Sequence, residues 1–556
     1  MVFNKKWSLL LLFLFSAFHL FAQNKQYAFR VQFTNKPTSF SINQPLAYLS
    51  QRALDRRLRF AIAIDSSDLP VYSKYTDTVL QLTQGVFHSQ SKWFNQIVIL
   101  LSDSSKIGFL NAKNWIQQVD YIAYYPNGLH AKKTNSLEKN KVQTKGNLFK
   151  TTNALSIYGA ASKQTSLVNG HLLHAAGYKG QGKLIAVLDA GFFNLYNGFD
   201  SLLLQNRILD QFDFVSKDAD PTSNGDHGTY VLSTMAGNEP GLYIGAAPYA
   251  QYALYRTEDN NSEQLIEMDN LLAALERADS IGADIATMSL GYNEFYTPSY
   301  YIFPKSLLDG KTTLAAKAVN KASAKGMIAV AASGNEGGNN WNFLLTPGDA
   351  DSALTVGTVD SFKNDGPASS PGPNYTGLIK PDVCMLGTPA ALLYSRGNVL
   401  FAIGTSFAAP QLAAFTACVM QAAPNASLFA IKEAIRKSAH RYALPTNKQG
   451  YGVPDFAQAL SNLGIVLPPA KEYPTQIQIT PNPCTDFIKI TLPTDLNATV
   501  PFELFASNGA LVYKGSLNFN QTNQASINLP ESITRGVYVL SIVIDGQHQK
   551  RTFLKL

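Results

Sequence analysis

A lone hydroxyl at the mouth of an apolar helix is the first feature of this sequence that invites chemistry. Ser406 stands in GTSFAAPQLAAF, residues 404–415, where Phe407, Ala408, Leu412 and Phe415 recur at helical spacing. Proline is tolerated in the first turn of a helix and costs roughly 3 kcal/mol further in. The helix is therefore expected to begin near Ser406, with Pro410 in or just after its first turn. A serine hydroxyl is a poor nucleophile unless a neighbouring base, usually a histidine held by a carboxylate, takes its proton.

Few histidines are available to serve. His88 and His130 lie in the N-terminal part and His548 near the other end; His171, His174, His227 and His440 lie between. His227 is distinguished by its setting, NGDHGTYVLSTMAG, where Gly225 and Gly228 flank the Asp-His pair and an apolar run follows. Taken alone, a histidine at a helix start is more often a cap or a surface residue. Asp189 closes KLIAVLD, an apolar run that reads as a buried strand, and a charge there needs a partner. Taken alone it reads equally as a helix-capping carboxylate. Asn335, in MIAVAASGNEGG, ends a second such run, and its amide can donate to an oxyanion on a substrate carbonyl or simply stabilise a turn.

The elements that carry these residues form a pattern. From about 151 to 467, short apolar runs alternate with helical stretches: KLIAVLD, HGTYVLSTMAG, AQYALYR, LIEMDNLLAALERADSIGADIATMSLG and AAKAVNKASAKGMIAVAAS. This predicts an α/β fold with a parallel sheet covered by helices on both faces, where function gathers at the carboxyl ends of strands. Before it, residues 23–130 predict a small α+β unit: QYAFRVQF and WFNQIVILL read as strands, and PLAYLSQRALDRRLRF as a helix with a basic polar side. Residues 131–150 are lysine-rich and aperiodic, an exposed linker. Residues 468–474 form a Pro-containing linker, and 475–556 predict a small β-sandwich of short strands. At the start, Lys5 and Lys6 precede an apolar run ending at Ala22, the layout of a secretory signal peptide over 1–22. No later segment is long and apolar enough to span a bilayer.

The 556 residues carry a net charge of +7 that is not gathered into a stripe, which argues against a nucleic-acid partner. Cys384, Cys418 and Cys484 are too scattered for a disulfide scaffold or a metal motif.

Together, VLDAGF, DHGTYVLSTMAG, ASGNEGG and GTSFAAP resemble the aspartate, histidine, oxyanion-asparagine and serine motifs of the subtilisin-like serine peptidases, and GADIATMSLG and GLIKPDVCMLG resemble further blocks of that family. The order Asp, His, Ser is the order known for subtilisin. The sequence departs from the pattern at Ala190, where Ser or Thr is common, and at Tyr230, where many members have a second histidine. The resemblance implies a secreted serine endopeptidase with Ser406 as nucleophile, His227 as base, Asp189 as its orienting carboxylate and Asn335 as oxyanion donor. It also implies that Ser289, Leu290 and Gly291 bind substrate main chain, and that Ala332, Ser333 and Gly334 line the specificity pocket. Residues 23–130 then resemble a propeptide. ITPNPCTDFIKI, SNGALVYKG and RGVYVLSIVIDGQHQKRTFLKL resemble the C-terminal sorting domain of the type IX secretion pathway. The expected partners are protein or peptide substrates and that secretion machinery. No cofactor is expected; calcium, which family members bind on loops, is left open. A catalytically inactive surface protein using the same fold to bind peptide or carbohydrate is the alternative, against which all four reactive positions argue. A metal-dependent hydrolase would need paired histidines at ligand spacing, which the sequence lacks.

Overall fold

The structure, a computed structural model, describes residues 25–128, 157–467 and 477–556 apart from positions 38, 127, 196–198, 297–299, 396, 508, 545 and 546. The expected leader at 1–22 and the linkers at 131–150 and 468–474 lie outside the described residues.

The central unit is built on a seven-stranded sheet. Its strands are β5 (Leu184–Asp189), β6 (Ile208–Asp213), β7 (Gln251–Arg256), β8 (Ile285–Met288), β9 (Ile328–Ala332), β10 (Leu354–Val359) and β11 (Val383–Leu386). They run in the order β11-β10-β9-β8-β5-β7-β6, every pair parallel. Strand side chains alternate between faces, and both faces here are apolar. Ile185 and Val187 of β5 join a core with Val231, Leu232 and Met235 of helix α3 (His227–Ala236) and Leu412, Phe415 and Val419 of helix α6 (Thr405–Ala422). Leu184, Ala186 and Leu188 face the other way, towards α4 (Ile266–Ile281) and α5 (Leu314–Ala324). The uninterrupted apolar run of β5 is thus that of a strand buried on both sides.

The N-terminal unit is a four-stranded antiparallel sheet, order β2-β3-β1-β4, made of β1 (Gln26–Phe33), β2 (Val86–Ser91), β3 (Gln96–Leu101) and β4 (Ile116–Tyr125). One face packs on its own helix α2 (Ser73–Thr83) through Phe29, Val31, Ile97, Ile99 and Val79. The other face meets the start of α4, with Ala28, Val98, Leu100, Ile122 and Tyr125 against Ile266. Polar contacts lace the same junction. Arg30 grips both carboxylate oxygens of Asp269 at 2.8 and 2.6 Å, and Glu276 accepts from Ser91 Oγ and from the backbone N–H groups of Lys92 and Trp93 at 2.8 and 3.0 Å.

The basic helix behaves differently from its sequence. Residues Gln51–Arg59 form α1, capped by Ser50 Oγ, but Arg56 and Arg57 are buried and not solvated. Both donate to Asp279 of α4; Arg57 also reaches Asp68, which Lys325 approaches at 2.7 Å. An amphipathic helix exposes its polar face only where nothing charged covers it, and here the carboxylate that covers it lies more than 200 residues further along the chain.

The C-terminal unit is one curled antiparallel sheet of five strands: β12 (Gln478–Thr480), β13 (Phe487–Ala506), β14 (Leu511–Asn528), β15 (Gly536–Ile544) and β16 (Gln547–Lys555). Strand β13 pairs with β12, β14 and β15. A parallel bridge between Cys484 and Lys555 nearly closes the sheet around Ile488, Ile490, Leu504, Phe519, Leu540 and Ile542. The several short strands read from the sequence are merged, because β13 and β14 run on past register shifts near Leu496.

Candidate active site

The four residues with chemical potential come from four elements of the central sheet and its helices. Asp189 is the last residue of β5 and is 1% exposed. Its Oδ1 accepts the Ala190 N–H at 2.7 Å and lies 2.7 Å from His227 Nδ1. Its Oδ2 has no hydrogen-bond donor among the described residues.

His227 opens α3. The backbone around it is pressed together: a β-carbon on Gly228 would lie 2.5 Å from the Gly191 carbonyl oxygen and 3.0 Å from Asp189 Cβ. Glycine at 228 therefore lets the helix start against the end of β5, which is what sets the His227–Asp189 distance. The far face of the imidazole packs against Phe407, ring centres 5.7 Å apart. One turn on, Tyr230 donates to Asp226 Oδ2 at 2.9 Å and stacks on Tyr394, tying down the residue before His227.

Ser406 is the second residue of α6, 9% exposed. As expected, Pro410 falls just after the first turn: α6 begins at Thr405, so Pro410 is its sixth residue, past the donors that lack helical partners. The missing N–H would have gone to Ser406 O. That carbonyl is satisfied instead by Ser289 Oγ at 2.8 Å, while Ser406 Oγ faces Ser289 O at 3.3 Å. The proline thus frees an acceptor that binds α6 to the strand end at Ser289. Sequence reading named Ser289 for its backbone and missed its hydroxyl, because the gap that it fills lies 117 residues away.

Asn335 lies just beyond β9. Its Oδ1 accepts from Thr405 N and Thr405 Oγ1 at 2.9 and 3.0 Å, which orients the amide so that Nδ2, the donor end, is turned away from Thr405. Leu290 and Gly291 follow Ser289 beyond β8, while Ala332 ends β9 and Ser333 and Gly334 follow it, all three buried. The two strand ends are neighbours, since β8 and β9 pair directly. Nearby, Thr257 and Tyr292 hydroxyls donate to Glu258, whose carboxyl is pushed up to about 8 by loss of water around it and by the charge of Glu263.

All the expected site residues are therefore at one end of the sheet; among the described residues no group of three or more His, Cys, Asp or Glu side chains is placed to hold a metal ion.

Comparison with known proteins gives the same picture along the chain. The subtilase family model matches residues 180–452, the Bacteroidota peptidase S8 propeptide domain matches 28–141, and the secretion system C-terminal sorting domain matches 478–555. Subtilisin DY of Bacillus licheniformis is 29% identical over 276 residues, 49% of this chain and 89% of that one. Subtilisin BL of Lederbergia lenta is 29% identical over 290 residues, 52% of this chain and 94% of that one. The crystal structure of fervidolysin from Fervidobacterium pennivorans shares the fold over 96% of this chain and 77% of that one, at 15% identity and a TM-score of 0.52. The sorting domain makes this a secreted or cell-surface protein, and no described helix is long and apolar enough to cross a membrane. The chain is a subtilisin-like serine peptidase, its subtilase domain standing between an S8 propeptide domain and a C-terminal sorting domain.

Proposed function

We propose that the protein is a secreted endopeptidase that cleaves peptide bonds through Asp189, His227 and Ser406, with Asn335 completing an oxyanion hole. The observation that carries this reading is the 2.7 Å contact of His227 Nδ1 with a buried carboxylate, in a fold that sets Ser406 at the start of α6. Asp189 fixes the imidazole tautomer with its proton on Nδ1, so that Nε2 is the basic nitrogen. His227 takes the Ser406 proton as Oγ attacks the scissile carbonyl, and returns it to the leaving amine. The acyl-enzyme is then hydrolysed by water activated by the same imidazole. The oxyanion is met by Asn335 Nδ2 and by the Ser406 N–H, one of the helix-start donors without an intrahelical acceptor. The Oδ1 contacts with Thr405 hold that amide in place before charge develops. No step draws on a cofactor.

Substrate main chain adds as a strand along Ser289, Leu290 and Gly291, facing Ala332, Ser333 and Gly334. Residues 23–130 act as the propeptide and are removed by cleavage within or near 132–150; residues 475–556 serve the type IX export machinery.

The test is labelling of the active form by a fluorophosphonate probe together with turnover of casein, in wild type and in Ser406→Ala. Labelling and turnover that both vanish in the variant support the mechanism. Near-normal turnover by the variant removes Ser406 as nucleophile, and a folded wild-type protein inert to both reagents favours a binding protein built on a peptidase fold.

A further inference from the structure

Between the two strand ends that flank the proposed substrate site there is a side chain where a pocket would be expected. Gly291 and Gly334 are the glycines of the two ends, and the same residue blocks both. A β-carbon on Gly291 would lie 2.7 Å from Leu345 Cβ and 3.0 Å from its Cδ1. One on Gly334 would lie 2.6 Å from Leu345 Cγ, 3.0 Å from its Cδ1 and 2.8 Å from Ser370 Oγ. The leucine side chain therefore occupies the space between the strand ends up to the level of their α-carbons.

Its position is fixed on both sides. Leu345 N–H donates to Ser333 O at 3.0 Å, and the next residue, Thr346, exchanges two backbone hydrogen bonds with Tyr292, at 2.7 and 3.2 Å. The leucine is thus stitched to one end through Ser333 and to the other through Tyr292. Leu345 is 8% exposed, and Ser370, which closes the same space, is fully buried and engaged by Glu336 N–H at 2.9 Å. A close-packed side chain between two hydrogen-bonded strand ends does not move aside without loss of packing.

We propose that Leu345 is a specificity-determining residue that fills the pocket for the side chain next to the scissile carbonyl, so that the enzyme cleaves after glycine, alanine or serine and rejects large residues there. The inference rests on the reading that Ser289–Gly291 and Ala332–Gly334 flank the substrate. It adds to that reading the class of substrate: peptides with a small residue on the acyl side of the cleaved bond. A hydrophobic pocket discriminates one methylene by about 10- to 200-fold, so a residue of the size of Phe, several carbons too large, is expected to fall at least 100-fold below Ala in kcat/KM.

A peptide series differing only at that residue (Gly, Ala, Ser, Leu, Phe, Lys) tests this on the active enzyme, on Leu345→Gly and on Leu345→Ala, with fluorophosphonate labelling followed in parallel. The expected result is a preference of wild type for Gly, Ala and Ser. Leu345→Gly should gain about 100-fold on the Phe peptide relative to the Ala peptide, and Leu345→Ala a smaller amount. Wild type that cleaves best after Phe, Leu or Lys overturns the proposal even if both variants fail to fold. So does an unchanged profile in folded variants. Absence of both cleavage and labelling in wild type instead strikes the peptidase mechanism itself.

Discussion

The junction between the N-terminal unit and the peptidase domain should collapse in affinity when one buried carboxylate is removed. Asp279 of α4 has a fully buried side chain and is met by two guanidinium groups, those of Arg56 and Arg57, whose side chains are 3% and 2% exposed. The neighbourhood holds three cations (Arg56, Arg57, Lys325) and three anions (Asp279, Asp68, Asp65). Burial already pulls the Arg56 guanidinium below its ordinary value, with Asp279 as the main opposing charge. Asp279→Asn leaves three cations against two anions, one of them the half-exposed Asp65, around two guanidinium groups that are almost wholly buried. Removing one partner of a buried pair costs about 3–5 kcal/mol, chiefly because the remaining charge is left uncompensated. At about 1.4 kcal/mol per decade, the Kd of the separated unit for the processed enzyme should rise by roughly 10²–10³ or more. Calorimetric titration of residues 25–128 into the processed enzyme measures this, and turnover of a short peptide should be unaffected, since Asp279 touches none of the proposed catalytic groups. Adding Arg56→Gln to Asp279→Asn restores two charges of each sign and should recover part of the loss. A Kd changed less than about fivefold by Asp279→Asn would show that the Asp279 ion pairs contribute no net affinity, leaving the apolar contact around Ile266 and the Asp269 and Glu276 contacts to hold the unit.

Three further outcomes are expected. Asn335→Ala should lower kcat far more than it alters KM, by the 10²–10³ known for this donor in subtilisin itself; an effect confined to KM would make it a binding residue. Burial beneath the N-terminal unit pushes the Glu276 carboxyl up to about 7, against the pull of Lys92, Ser91 and two backbone N–H groups. Its value when docked therefore exceeds the ordinary 4.5. The docked form holds an extra proton, whose contribution is complete below about pH 4.5 and lost as pH rises through 7, so binding should weaken between pH 5 and 8 by at most tenfold per unit. Glu276→Gln should flatten this profile. A chain truncated after Leu467 should keep peptide turnover in vitro and accumulate in the periplasm of its native host, as fractionation would report; efficient release of the truncated chain would remove the sorting role from residues 475–556.

What the sequence discloses follows from how far apart the partners lie. Asp189 was legible because five apolar residues lead directly into it, and any reader of LIAVLD can see that a carboxylate ends a buried strand. His227, Asn335 and Ser406 each read alone as a cap, a turn residue or an unactivated hydroxyl; only the four motifs together, by their resemblance to a family, single them out. The basic side of α1 was legible but its cover was not, because local pattern cannot say what packs on a helix: Asp279 is brought to Arg56 and Arg57 from more than 200 residues away. Pro410 was placed by the sequence, but what replaces its lost hydrogen bond was not: Ser289, just past the end of β8, supplies the donor. Leu345 was invisible altogether. It lies in WNFLLTPG, a stretch with no period, and its meaning appears only when Gly291 and Gly334 are seen to leave room for one side chain that both of them then lack space to enlarge. Chemistry in this fold is written at strand ends, where sequence is informative, while affinity for the N-terminal unit and choice of substrate are written in the gaps between segments, where only the packed chain can be read.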